Sequence, residues 1–180
     1  MRTLAAFCLS VALGATATGD LSVKRKFSEI EAGRLPAHSR VVLTYPELNA
    51  WAVEEVPAGV RNPQLRSAEP GILTGEALID FGKLERSAGR QPGWFVSKLI
   101  DGERRVAVTV RLQSTGGQAT VAVQRVEISG IVLDGRALDF LIQNFLIPMY
   151  PNAAISRPFD LGYNIERIGV APAAVTVRLR

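Results

Sequence analysis

The sequence predicts an α+β domain, a curved antiparallel sheet of about six strands wrapping two principal helices. Three observations predict it. Val106, Val108, Val110 and Leu112 alternate with Ala107, Thr109 and Arg111, and Ala119 to Ile128 returns after Ser114-Thr115-Gly116-Gly117, which is the pattern of a long half-buried hairpin. Along the return run the apolar parity shifts from Val121 and Val123 to Val126 and Ile128, so a bulge near Arg125 should twist and curl the sheet. Two other stretches, 45–56 and 136–147, repeat apolar residues at helical spacing and have one sheet face to cover.

The first element is an address. Arg2 precedes an apolar stretch, Leu4 to Leu13, of about ten residues, the length of a signal-peptide core and too short to span a bilayer. Ala15-Thr16-Ala17 offers small residues to a signal peptidase, so residues 1–17 read as a signal peptide and residues 18–180 as one α+β domain. Cys8 lies in the middle of the apolar run, which excludes a lipoprotein cleavage site, and its removal leaves an exported chain without cysteine. The expected location is periplasmic or extracellular, with transient contact at a membrane surface.

The elements then follow in order. Val23, Phe27 and Ile30 mark a short amphipathic helix over 21–33. Arg40 to Thr44 reads as a strand. Thr44 and Glu47 form a capping box with Pro46 early in the helix that follows, which runs Glu47 to Glu55, presents Leu48, Trp51, Ala52 and Val56, and stops at Pro57. Arg61–Ala68 and Ile72–Phe81 form a hairpin about Glu69-Pro70-Gly71, with Pro63 pushing the first strand to a sheet edge. Residues 82–93 read as a loop and Trp94 to Ile100 as a short helix. Arg136 to Pro148 is the second principal helix, with Leu138, Leu141, Ile142, Phe145 and Leu146 on a broad apolar face. Residues 148–158 are a proline-rich loop. Tyr163–Val170 and Ala174–Leu179 close the fold as strands around Pro172.

The composition excludes many chemistries. Of 180 residues 47% are hydrophobic and 21% charged, too apolar for a disordered chain. A single His (His38) and a single Cys leave no Cys/His zinc site and no cysteine–histidine catalytic pair in the mature chain. The carboxylate pairs Glu29/Glu31, Glu54/Glu55 and Asp101/Glu103 are adjacent or nearly so, unlike two carboxyls facing across a cleft. The basic residues are dispersed without interleaved aromatics, which argues against a nucleic-acid partner. No catalytic residue, metal or cofactor is expected.

What remains is a surplus of apolar side chains on the helices. Trp51, Phe95, Leu99, Leu141 and Phe145 either fill a core or line a groove between helices and curved sheet. In a groove, each buried methylene contributes about 0.8 kcal/mol, ample to hold an acyl chain.

The segment Thr44-Tyr45-Pro46-Glu47-Leu48-Asn49-Ala50-Trp51, followed by Pro57-Ala58-Gly59-Val60, the Gly75–Phe81 strand, the Ile128–Leu133 strand end and the closing strand Asn164–Val170, resembles the motif order of the LmeA-like and YpmS-like exported envelope proteins, related in style to tubular lipid-binding and AsmA-type proteins. The resemblance covers about residues 38–180. It implies a curved sheet around a long helix and an apolar groove that takes phospholipid or another acyl lipid, with no catalytic residue. The reading is therefore an exported, non-enzymatic lipid-binding protein using Trp51, Phe95, Leu99, Leu141 and Phe145, with the polar head near a basic residue such as Arg104 or Arg136. The alternatives are an envelope adaptor pairing through an exposed strand such as Val175–Leu179 and a carboxylate hydrolase.

Overall fold

The long hairpin is the spine of the molecule. The computed structural model describes residues 22–87, 102–143 and 156–180. In chain order the elements are α1 (22–31), β1 (Arg40–Thr44), α2 (Tyr45–Glu55), β2 (Val60–Arg66), β3 (Ile72–Asp80), α3 (Phe81–Ser87), β4 (Glu103–Thr115), β5 (Gln118–Ile128), β6 (Ile131–Leu133), α4 (Gly135–Leu141), β7 (Phe159–Asp160), β8 (Ile165–Val170) and β9 (Ala174–Leu179). The fold is α+β. An antiparallel sheet of six strands runs β2-β3-β4-β5-β6, with β7 pairing β5, and a second antiparallel sheet runs β1-β9-β8.

The hairpin has the turn and bulge its residues dictate. Gly116 and Gly117 both take positive φ (59° and 85°), the conformation a two-residue hairpin loop needs to match strand twist. Thr109 faces Arg125 while Val110 faces Val123, so Gln124 is the extra residue of a bulge beside Arg125. On the other side of the sheet, the register of β2 shifts between Arg61 and Gln64, around Pro63, and β2 is an edge strand. Thr44 and Glu47 close the capping box at the start of α2, and Pro46 sits in its first turn.

Three things differ from the sequence reading. Strands 40–44, 165–170 and 174–179 form a sheet of their own, because β1 and β9 pair across most of the chain's length, a contact no local pattern records. Residues 81–87 are helical where the end of a strand at Phe81 and a loop from Gly82 were expected, since the Asp80 carboxylate accepts the Lys83 backbone N–H at 2.9 Å and caps the turn despite Gly82. The two-residue strand β7 pairs with β5 where no strand was expected, and most of the expected 148–158 loop lies outside the described residues. The predicted signal peptide, the 94–100 helix and the continuation of α4 to Pro148 lie outside the described residues.

The two sheets are stitched together at one end of the hairpin. The Gly71 N–H donates to Val170 O at 2.9 Å, the Gly117 N–H donates to Glu166 O at 2.8 Å, and the Ser114 hydroxyl both donates to Ile168 O (2.6 Å) and accepts from Ile168 N (2.8 Å). Two apolar clusters result. One gathers Val23, Ile30, Leu43, Leu48, Ile165, Val177 and Leu179 between α1, α2 and the small sheet. The other packs Leu138 and Ile142 at α4 onto Val126 of the large sheet. Each aliphatic side chain buried this way contributes about 1.5–3 kcal/mol.

The outer edge of β1 is guarded. The Lys26 Nζ donates to Val42 O at 2.8 Å, and the Thr44 N–H donates to Glu47 Oε2 at 2.9 Å. A charged pair laid over a strand edge discourages pairing with another chain.

Candidate functional site

The register of the large sheet sorts its residues into two faces of opposite character. Successive rows across one face read Leu73–Val110–Val123, Gly75–Val108–Val126–Leu133 and Ala77–Val106–Ile128–Ile131, and the last row in the register is Ile79–Arg104. The other face reads Thr74–Thr109–Arg125, Glu76–Ala107–Glu127 and Leu78–Arg105. This is the amphipathic pattern of an antiparallel sheet with one face turned to the interior.

The apolar face is flanked by both principal helices. At the β5 side, α4 covers Val126, with Val108, Val123, Ile128 and Leu133 packed alongside. At the β2 edge, Leu65 lies opposite Gly75 in the register and packs into the cluster that contains α2. Between these walls Leu73, Ala77, Val108 and Val110 remain half-buried. Gly75, in the middle of its row, contributes no side chain and lowers the floor between Leu65 and Val108. A Cβ added there would meet the Leu65 Cδ2 at 3.5 Å, an ordinary contact, so the position has room for a small side chain.

The opposite face carries an open depression of about 660 Å³ lined by Arg66, Thr74, Glu76, Arg105, Arg125 and Glu127 among others. Its charged groups are all paired within the sheet, three arginines to two glutamates. Glu76 bridges Arg66 and Arg105, the latter at 2.8 Å, and hydrogen bonds from Arg105 and then Arg66 hold its carboxyl below the usual carboxylate range. Arg125 pairs with Glu127 at 3.2 Å, and the Thr74 and Thr109 hydroxyls are 3.1 Å apart. Opposite charges paired across an exposed sheet face make a solvated charge ladder.

The predicted site residues fall in different places. Trp51 is half-buried in the α1/α2 cluster, its ring edge-on to Phe27 with centroids 5.2 Å apart. Leu141 ends α4, its side chain outside the described residues, where Phe95, Leu99 and Phe145 also lie. His38 is exposed in the turn before β1, at φ 64°. Glu29, Glu54 and Glu103 form surface ion pairs with Arg25, Lys24 and Arg61. Among the described residues no three of His, Cys, Asp and Glu are grouped to hold a metal ion. No described helix is long and apolar enough to cross a membrane. The expectation that Val175–Leu179 offers an exposed pairing edge is corrected. These residues belong to β9, the middle strand of the small sheet, hydrogen-bonded to β1 on one side and β8 on the other.

The 44–51 segment does architectural work that its spacing alone does not reveal. Glu47 accepts hydrogen bonds from Lys26 Nζ (2.6 Å), Ser22 Oγ (2.8 Å), and Thr44 N and Oγ1 (2.9 Å each), docking α1 onto α2. Burial pushes its carboxyl up, but these four donors together outweigh that and hold it at about 2. Asn49 reaches the open edge of β2, where its Oδ1 accepts the Leu65 N–H at 2.6 Å and its Nδ2 donates to Leu65 O at 3.3 Å. The side-chain amide thus satisfies a strand edge as a neighbouring strand would, and fixes α2 at the border of the apolar face. Asn49→Ala leaves both Leu65 groups without that partner and is expected to cost about 1–3 kcal/mol, read as a lower urea midpoint with an unchanged slope.

Comparisons with protein-family models, with curated proteins and with solved structures give no match for this chain.

Proposed function

We propose that this chain is an exported, non-enzymatic lipid-binding protein that holds the acyl chains of a phospholipid or related lipid against the apolar face of the large sheet, between α2 and α4, and carries or presents them at a membrane surface. The observation that supports this reading best is the half-buried floor of Leu73, Ala77, Val108 and Val110, troughed at Gly75 and bordered by a helix on each side. Such a surface has the shape and polarity that acyl chains require, and an aliphatic chain lying along it gains about 0.8 kcal/mol per methylene removed from water. The residues singled out from the sequence, Trp51, Phe95, Leu99, Leu141 and Phe145, are proposed to extend its walls. The solvated charge ladder on the reverse face leaves the apolar side as the surface of the sheet suited to such a guest.

The reading is tested by native mass spectrometry of the mature protein purified from a membrane-containing extract, together with titration of a fluorescent fatty-acyl probe. Bound lipid and saturable probe uptake are expected. Gly75→Val fills the trough with a side chain suited to a strand. It is expected to weaken probe binding about tenfold, by displacing roughly two methylenes of the guest, while the circular dichroism spectrum stays the same. Reproducible absence of both lipid and uptake in the unsubstituted protein sinks the reading.

A further inference from the structure

We propose that Arg104 is the headgroup anchor of this groove, binding the phosphate of an anionic acyl lipid at the end of the groove away from the small sheet. The inference rests on the lipid-binding reading above and adds the chemistry that would select the lipid.

Strand alternation places Arg104 on the apolar face. It follows Val110, Val108 and Val106 in that stripe and lies opposite Ile79, whereas its neighbour Arg105 points to the charge ladder and pairs with Glu76. Arg104 is the one half-buried arginine among the described residues. Its guanidinium has no ion pair or hydrogen bond there, while Arg61, Arg66, Arg105, Arg125 and Arg178 all have carboxylate partners. A guanidinium half-withdrawn from water beside valines, with no anion supplied among the described residues, is a standing cost that a bound anion would remove.

The position along the stripe matters as much as the charge. The far end of the apolar face, near Leu112, abuts the small sheet, since the Leu112 N–H donates to Gly71 O and the Gly71 N–H to Val170 O. Among the described residues, the Arg104 end is bordered by α3, which begins directly after Asp80, and by the β5–β6 turn, where the Ser129 N–H donates to Arg105 O at 2.8 Å. In the adjoining row, Ile131 is 67% exposed. An exposed aliphatic side chain one row from a half-buried guanidinium matches the boundary of an amphiphile, with the chains running inward over the half-buried Ala77 and Val108 and the phosphate held at the rim. Arginine suits that role because its planar fork bonds two phosphate oxygens at once.

The test uses native mass spectrometry competition between phosphatidylglycerol and diacylglycerol of identical chains. A separate arm titrates inorganic phosphate. The unsubstituted protein is expected to prefer phosphatidylglycerol by about tenfold, the size of one charge-assisted phosphate contact. Arg104→Gln should bring that preference close to unity while diacylglycerol still binds, and Arg104→Lys should keep part of it. Arg105→Gln, on the opposite face, should leave it unchanged. An undiminished preference in Arg104→Gln overturns the assignment while leaving the groove standing. Binding of neither lipid overturns the groove and the anchor together. Arg104-dependent binding of inorganic phosphate that is not displaced by phosphatidylglycerol overturns the headgroup assignment in favour of a free anion.

Discussion

Leu43→Ala is expected to destabilise the fold by about 2–5 kcal/mol, whereas Val42→Ala, one residue away, should cost about 0.5 kcal/mol or less. Leu43 is 3% exposed and belongs to the cluster that joins α1, α2 and the small sheet, while Val42 is 41% exposed on the other face of the same strand. Removing the Leu43 side chain opens a cavity among Val23, Leu48 and Val177 that these neighbours collapse only in part. A domain of this size has about 5–15 kcal/mol in total, so Leu43→Ala alone consumes a large share. Urea denaturation of the two variants beside the parent is the measurement. Equal midpoints in both would mean that β1 does not present Leu43 to the core. The same loss should also reach the proposed groove, because the cluster around Leu43 holds α2, and α2 borders the apolar face at Leu65.

Acid should release α1 through Glu47. Its carboxyl lies at about 2 in the folded chain against an ordinary value of 4.5, so the unfolded chain takes up the proton first as pH falls. The stabilisation is therefore complete above pH 4.5 and is lost progressively between pH 4.5 and 2. With its side chain 14% exposed and solvent at its rim, the group is worth about 1–2 kcal/mol after allowance for screening. Glu47→Gln should lower stability by that amount at neutral pH and remove this part of the acid dependence. Glu76 and Asp80, whose carboxyls are also held low by hydrogen bonds, remain in both proteins. The difference between the two urea-midpoint curves from pH 7 to 2 thus isolates Glu47. Parallel curves across that range would show that the four donors around its carboxylate do not persist in solution.

Much of the fold was legible in the sequence wherever the cause is local. Alternation in residues 106–112 and the parity shift near Arg125 predicted β4, β5 and the bulge at Gln124, because side chains in a strand switch faces at every residue and one extra residue inverts the pattern. Thr44, Pro46 and Glu47 predicted where α2 begins, because a cap acts within one turn. The spacing of Val23, Phe27 and Ile30 predicted the inward face of α1, and Val23 is indeed fully buried. The helix α3 was not legible, since Gly82 in its first turn disguised the Asp80 cap. The second sheet was not legible either, because pairing Arg40–Thr44 with Ala174–Leu179 depends on chain closure over long range.

The same division holds for the candidate site. The apolar character of the Val106–Leu112 stripe was plain from composition, but its neighbours across the sheet were not. Which row holds Gly75, and that Arg104 alone interrupts the stripe, follow from register between strands that are distant in sequence. Glu47 and Asn49 stood in the motif that carried the family resemblance, yet their partners Lys26, Ser22 and Leu65 come from other elements, so their joining roles became visible only in three dimensions.

By itself, then, the amino-acid order determined the helices, strands, caps and turns whose causes lie within a few residues, and the apolar and polar faces each would carry. Only the tertiary structure decided that the nine strands among the described residues divide into two sheets, that β9 is enclosed on both sides, and that α2 and α4 border one apolar face. The reason is physical. Periodicity and capping act along the chain, whereas strand partnership and helix placement depend on which distant surfaces exclude the most water together.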